Sequence, residues 1–296
     1  MEKFSTQYKR EHMRDFGKEK LQVLFSDSSI FVINKPAGML TVPYPGSKAR
    51  TALGIVCRLM KNRGLYSRYH RPFVVHRLDR DTSGIMMFAL NVKLQRYIMQ
   101  HWKTFALERL YRAVAENPAV DTLGNSGLID DRLAFNAYNM GFVPKDGAEP
   151  KKNAKQSSLP RRFQSYYEKH LDFSNGKAQF KTVEARTNYK VIMRGPTHTL
   201  FELSLDTGKK NQIRAHLASK GFPIAGDENY RAKTDPFHRL LLHARTLEII
   251  HPETKEKMKF EVAEPNEWFR YVEAGDFHSE ETLWQKQRNS LKGKSK

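Results

Sequence analysis

Short apolar runs broken by tight turns recur along this chain, and they limit its fold more than any other feature. A run of about four to eight apolar residues between turn signals suits a strand better than a helix. "LQVLFSDSSIFVINK" reads as two strands around a turn at Asp27-Ser28-Ser29. "SGIMMFAL", Ser83 to Leu90, is too short for a helix and follows a charged loop, so a strand is expected. "ERLYRAVAE" alternates, with Leu110, Arg112 and Val114 on one side and Tyr111 and Ala113 on the other. "VEARTNYKVIMR" with "THTLFELSLDTG" reads as a hairpin. So does "RLLLHARTLEIIHPETKEKMKFEVAEP", turning near His251-Pro252-Glu253. Helical spacing is confined to Ala49–Gly64, Asn91–Ala106, Asn211–Gly221 and Asn266–Ala274. Strands outnumber helices and join mostly as hairpins, which predicts an α+β fold with a mostly antiparallel sheet.

The chain has 296 residues, 39% of them hydrophobic, with 18 Phe and 12 Tyr. That is enough for a sizeable core in one large domain or two small ones. No apolar run approaches the roughly 18 residues of a membrane span, and the first twenty residues lack the apolar stretch of a signal peptide. A soluble, cytoplasmic protein without membrane attachment is expected, and a monomer, since no spare apolar helix face stands out. Residues 1–20 read as an N-terminal extension, 21–276 as the core and 277–296 as a basic tail. Between about 139 and 181 lies an insertion rich in Pro, Lys, Ser and Arg. It reads either as a solvated segment or as a basic arm for phosphates. The single cysteine, Cys57, sits in an apolar helical pattern and reads as core. The histidines show no common metal-ligand spacing, so no metal is expected. Charge is the strongest compositional signal: 51 Lys and Arg against 32 Asp and Glu leave +19. Such an excess draws polyanions, with nucleic acid as the default partner.

Four pieces could carry chemistry. "HRLDRDTSG", His76 to Gly84, sets a carboxylate in a loop against a strand, where it would be exposed on a rigid base. Asp79 is the catalytic candidate there, and Asp81, beside Thr and Ser, the turn-maker. Arg214 in "NQIRAHL" lies about 100° round the helix from Ile213. It could hold a buried carboxylate ionised. Tyr111 offers a flat ring for a nucleobase. Lys35 in "KPAG" could reach a phosphate. Each has a bland alternative: Asp79 a turn or ion-pair residue, Arg214 a surface cation, Tyr111 core packing, Lys35 a structural turn.

Taken together, "NKPAG", "VVHRLDRDTSG", "LYRAV", "LDTGKKNQIRAHLASKGFPIAGDENY" and "LLLHARTLEIIHPET" occur in an order that closely resembles the RluA family of RNA pseudouridine synthases. The resemblance runs from about Leu21 to Glu264. It implies the pseudouridine synthase fold, a central mixed sheet flanked by helices and loops around an RNA cleft. It implies catalysis on rRNA or tRNA without a cofactor. Asp79 matches the family's catalytic aspartate, Tyr111 the tyrosine against the target base, and Arg214 the arginine paired with the catalytic carboxylate. Ile213 matches an apolar residue of the uracil pocket, and Arg77 an arginine that enters the RNA stack. His76 and Lys35 are expected at the RNA as well. Lys209, Lys210 and Asn211 depart from the family's usual Arg, Thr and His. Asn211 is expected to cap the helix. Many relatives carry an N-terminal RNA-binding domain, and the short N-terminal extension implies that it is absent here.

The reaction suits these residues. It moves uracil from a ribose–nitrogen bond to a ribose–carbon bond, with no external group and no oxidation. Two other readings remain at this stage. A non-catalytic RNA binder would need no Asp79, Tyr111 and Arg214 together. A base-releasing glycosidase would usually need two facing carboxylates, and Asp79 and Asp81 are poorly spaced for that.

Overall fold

The computed structural model describes residues 21–44, 46, 49–136, 138–145, 169–172 and 179–276. The N-terminal extension, the basic tail and most of the insertion fall outside the described residues. Along the chain the elements are β1 (Gln22–Ser26), β2 (Ile30–Lys35), α1 (Ala52–Asn62), β3 (Phe73–Val74) and β4 (Ser83–Ala89). Then come α2 (Val92–Gln100), the single turn α3 (Trp102–Phe105), β5 (Ala106–Glu116), β6 (Ser126–Ile129), β7 (Ala134–Phe135) and β8 (Gly141–Phe142). They are followed by β9 (Leu171–Asp172), β10 (Gln179–Phe180), β11 (Thr187–Arg194), β12 (His198–Leu205) and α4 (Gln212–Ser219). A 3-10 turn (Glu228–Tyr230), β13 (Leu242–Ile250), β14 (Lys257–Glu261) and α5 (Asn266–Ala274) complete the order. Contacts divide the chain into two compact units: Met1–Ala113 with Phe237–Glu264, and Val114–Pro236 with Pro265–Lys296.

In the first unit the strands lie in the order β1-β2-β4-β13-β5, with β3 also on β4 and β14 on β13. β4 and β13 run parallel, and the other pairs antiparallel. Every residue of β4 is buried, which explains why its sequence is continuously apolar rather than alternating. Successive side chains of a strand point to opposite faces. Ile85, Met87 and Ala89 join Ile30 and Val32 on one face, packed by Ile98 of α2 and Phe105 of α3. Met86 and Phe88 join Phe31 and Ile33 on the other, packed by Val56 and Met60 of α1. Each fully buried large apolar side chain contributes about 1.5–3 kcal/mol, so this strand is the anchor of the unit. α1 and α2 start at side-chain caps, where Thr51 Oγ1 accepts from the Gly54 N–H (3.1 Å) and Asn91 Oδ1 from the Leu94 N–H (2.8 Å).

In the second unit β12, β11 and β6 form an antiparallel run. Trp268 and Val272 of α5 are buried, and at Gly195 a Cβ would lie 1.7 Å from the Val272 carbonyl oxygen. Only glycine fits there. Helix α4 departs from the one-sided stripe that Ile213 and Leu217 suggest. All six residues from Gln212 to Leu217 are buried. Its polar members bond to their surroundings: Gln212 Nε2 donates to the Arg186 carbonyl (3.0 Å), and a His216 ring nitrogen lies 2.9 Å from Thr187 Oγ1. Asn211 holds the N-cap position, but in the left-handed region (φ 57°) and without a side-chain cap bond. The expected Asn cap is therefore absent. Among the described residues no helix is long and apolar enough to cross a membrane.

Candidate active site

Asp79 lies in the loop between β3 and β4, and the backbone on both sides of it is held by buried donors. Thr41 Oγ1 donates to the Leu78 carbonyl at 2.9 Å. Lys35 Nζ donates to the Arg80 carbonyl at 2.9 Å, and also to Met39 O (2.8 Å) and Pro36 O (2.9 Å). Leu78 is itself buried in the α1-side core. One carbonyl before and one after Asp79 are thus fixed, while Asp79 is half-buried and Arg77 and Arg80 exposed. Asp81 pairs with Arg80 (3.2 Å) at the surface, as a turn carboxylate does.

The loop runs directly into β4, where Ser83 and Gly84 face β13. Ser83 Oγ lies 2.8 Å from His243 Nδ1 and accepts from Arg239 at 2.6 Å. Gly84 has φ +113°. A Cβ there would sit 2.2 Å from the Ala244 carbonyl oxygen, and close backbone approach of this kind is a standard use of glycine.

One expectation is corrected here. Lys35 is not available to RNA. It is fully buried, and three carbonyl oxygens engage its ammonium. Its lysine character serves the loop, since only a cation with three donors satisfies three converging carbonyls. His76, part-exposed, makes framework contacts. Its Nε2 accepts from the Met87 N–H at 2.9 Å, and its ring packs on Trp102 with centroids 5.0 Å apart. Burial, and then the positive charge of Arg109, push it down to about 3, so it is neutral at physiological pH.

Tyr111, on β5, packs half-buried against the cluster that contains Leu78, Met39 and Ala244. Its cross-strand partner is Ala244. Its phenol is raised above the ordinary value mainly by burial. The Arg109 cation lowers it, and the negative charge of Asp79 raises it further. Asp79 and Tyr111 are therefore electrostatic neighbours, and the phenol keeps its proton at neutral pH. A ring that is already protonated suits stacking and hydrogen-bond donation more than a resting phenolate.

In the second unit, Ile213 and Arg214 occupy the first turn of α4, and both are buried. Arg214 donates through Nε to Asp227 Oδ2 (2.6 Å) and through Nη2 to Asp227 Oδ1 (2.7 Å). Its guanidinium carbon lies 5.0 Å from the Tyr230 ring centroid. Bidentate pairing of this kind fixes the plane and direction of the guanidinium. Asp227 is a carboxylate partner of Arg214 that nothing in the local sequence signals.

Thr41, Arg109 and Arg239 were missed as well. Arg109 could have been suspected from its place two residues before Tyr111 on an alternating strand. Thr41 and Arg239 leave no signal, because they act on groups far away in sequence.

The fold is that of the pseudouridylate synthases. Two solved human structures share it: RNA Pseudouridylate Synthase Domain Containing 4, with TM-score 0.58, 19% identity, and coverage of 90% of this chain and 95% of that one; and RNA Pseudouridylate Synthase Domain Containing 1, with TM-score 0.55, 18% identity, and coverage of 83% and 84%. The sequence pattern described as RNA pseudouridylate synthase matches residues 29–219, so the chain belongs to the RNA pseudouridylate synthase family, a family of isomerases. Among curated relatives, a Bacillus subtilis protein named as an uncharacterized RNA pseudouridine synthase is 30% identical over 255 residues. That match covers 86% of this chain and 72% of the relative. The ribosomal large subunit pseudouridine synthase D of Neisseria meningitidis is 28% identical over 264 residues, covering 85% of this chain and 60% of the relative. The protein of that name from Pseudomonas aeruginosa is 27% identical over 263 residues, with 84% and 70% covered.

Proposed function

We propose that this chain converts specific uridines of structured RNA to pseudouridine, with Asp79 as the catalytic carboxylate, in the cytoplasm and as a monomer. Residues 21–276 are the catalytic region in this reading. Ribosomal RNA is the favoured substrate, because several relatives are named for the ribosomal large subunit. A transfer RNA is the alternative.

The observation that carries the reading is Asp79 on a loop tied at the residue before and the residue after it, beside a protonated Tyr111. A catalytic group needs that fixity, since positional error of an ångström costs heavily in rate. The uridine leaves the stack to reach the site, at a cost of a few kcal/mol. The Tyr111 ring returns roughly 1–3 kcal/mol by stacking. Asp79 then either adds to ribose carbon 1′ as the uracil nitrogen leaves, or assists removal of the proton at carbon 2′. Uracil turns, and its carbon 5 bonds to carbon 1′ as the bond from the Asp79 oxygen to carbon 1′ breaks or, on the second route, as the proton returns to carbon 2′. The carbon 5 hydrogen is then lost to water and nitrogen 1 gains a proton. The balance requires no oxidant and no group donor, so no cofactor enters. Ile213 lines the uracil pocket in this reading. Arg214, its direction fixed by Asp227, is a further site residue in this reading, and Arg77 fills the gap left in the RNA.

RNA carrying tritium at uracil carbon 5 tests this. The wild-type chain should release tritium to water, and Asp79→Asn and Asp79→Ala should release none while keeping most of their RNA affinity. Release by Asp79→Ala would refute the assignment. Free uracil among the products would mean base excision instead.

A further inference from the structure

The stretch from the last turn of α1 to the start of β3, Lys61 to Phe73, is built unlike an ordinary solvated turn. Between Ser28 and Leu78 the chain has nine lysines and arginines and no aspartate or glutamate. No carboxylate of that stretch is present to neutralise them. Lys61, Arg63, Arg68 and Arg71 are exposed. Three of these cations lie over aromatic rings: Lys61 over Tyr66 at 4.8 Å, Arg68 over Tyr69 at 5.8 Å and Arg71 over Phe73 at 4.5 Å.

The segment is also tied down. The Ser67 N–H donates to the His70 carbonyl at 2.8 Å. Ser67 Oγ accepts from the N–H groups of Tyr69 (3.3 Å) and His70 (3.0 Å). The His70 ring nitrogens lie 2.7 Å from the Leu65 carbonyl and 3.1 Å from the Ser28 carbonyl. The Arg71 N–H donates to Leu90 O at 2.9 Å. Tyr66 contributes to the core. Tyr69 does not: it stands 78% exposed at the tip of this tied turn.

A single exposed tyrosine is unremarkable. A tyrosine on a pre-ordered tip, with the Arg68 guanidinium over its ring and further exposed cations on the same segment, meets the two requirements for single-stranded nucleic acid. Those are an aromatic face for a base and positive charge for the backbone. Pre-ordering removes much of the entropic cost of engagement. The platform is joined to the catalytic loop through the same sheet. Phe73 and Val74 pair with Ala89 and Phe88 of β4, the strand that the Asp79 loop enters.

We propose that Tyr69, with Arg68 and Arg71, is a binding platform for an unpaired nucleotide of the RNA flanking the target uridine. The base stacks on Tyr69 and the adjoining phosphates meet the two arginines. This rests on the RNA reading above and adds a contact beyond the uridine itself.

The test uses the full chain and a short fluorescein-labelled oligoadenylate, which has no uridine for the catalytic pocket. By anisotropy, Tyr69→Ala should bind it roughly 5- to 150-fold more weakly, the equivalent of about 1–3 kcal/mol of stacking. Tyr69→Phe should bind like wild type. Arg68→Gln and Arg71→Gln should each flatten the dependence of log affinity on log salt by about 0.7. The thermal midpoints should match wild type, since these side chains are exposed. Equal affinity of Tyr69→Ala and wild type for the oligoadenylate overturns the platform, whatever the turnover. That result would turn attention to an acidic protein surface. Failure of the wild type to release tritium would overturn the catalytic reading without touching the anisotropy result.

Discussion

The ammonium of Lys35 lies 2.9 Å from the carbonyl oxygen of Arg80, forty-five residues further along the chain. With the bond from Thr41 to Leu78 O, it brackets Asp79 between two pinned peptide groups. The cation of the "KPAG" turn is thus a structural clamp on the Asp79 loop.

Lys35→Met should therefore behave as a folding and positioning lesion. The buried Met39 carbonyl and the part-buried carbonyls of Pro36 and Arg80 lose their donor, and each costs up to about 1–3 kcal/mol when left unmatched. A denaturant titration should show a loss of about 3 kcal/mol or more, and tritium release should fall with it. The salt dependence of RNA binding by the folded fraction should not change. A slope lowered by about one phosphate contact would show instead that Lys35 touches RNA. Thr41→Val, which deletes one hydroxyl donor, should cost about 1 kcal/mol.

Asp227→Asn should be severe for a different reason. Both partners of the Arg214 pair are buried, with side-chain exposures of 9% and 1%. Removing one partner of such a pair leaves an uncompensated charge, typically about 3–5 kcal/mol. Asn keeps one acceptor, so the lower end is expected. Among molecules that remain folded, turnover should fall more than RNA affinity, because the lesion is to the direction of Arg214. A variant with wild-type stability and turnover would show that Asp227 is dispensable.

The strands were legible because their apolar periods are short and their turns explicit. The loop was legible because its residue string is so specific. What escaped was long-range or polar. Lys35 and Thr41 bond to backbone carbonyls forty-five and thirty-seven residues away, and a carbonyl leaves no trace in sequence. In helix α4 the apolar Ile213 and Leu217 suggest a single buried face, whereas polar residues such as Gln212 and His216 usually face water. Here both are buried against strand β11 and the loop before it, with their hydrogen bonds satisfied. Asn211 followed the capping preference by type and position but not by backbone conformation, since its left-handed φ turns the side chain away from the cap role.

Acid should destabilise the protein through two histidines whose folded values are depressed. His76 falls from 6.5 to about 3 on folding, chiefly through burial. His243 falls to about 4, again chiefly through burial. Between the folded and unfolded values, the unfolded chain takes up a proton that the folded chain refuses. Stability from His76 is therefore complete above about pH 6.5 and is lost as pH falls towards about 3. At about pH 5 the loss from His76 alone is about 2 kcal/mol. His76→Gln, whose amide oxygen can still accept from the Met87 N–H, should flatten the stability profile between about pH 6 and pH 4.5. Parallel profiles for wild type and His76→Gln would show that His76 is not neutral in the fold.

Gly84 is the position where a single methyl group should do most harm for its size. Two independent facts require glycine there. Its φ of +113° lies outside the ordinary range of residues with a side chain. A Cβ would also press to 2.2 Å from the Ala244 carbonyl oxygen on β13. The neighbour is backbone within a sheet, so it cannot swing aside as a flexible side chain would. Gly84→Ala must therefore open the short parallel contact in which Ser83 meets His243 and Gly84 meets Ala244. That contact is the footing on which the Asp79 loop stands, and Ala244 is also the cross-strand partner of Tyr111. The expected outcome is a lower thermal midpoint together with loss of tritium release in the material that still folds. Gly64→Ala is the control. It too carries a positive φ (+69°), but nothing lies within 4 Å of the added carbon. It should cost about 1 kcal/mol in stability and leave turnover intact. If the two substitutions behaved alike, backbone strain and not the seat of the Asp79 loop would be what Gly84 protects.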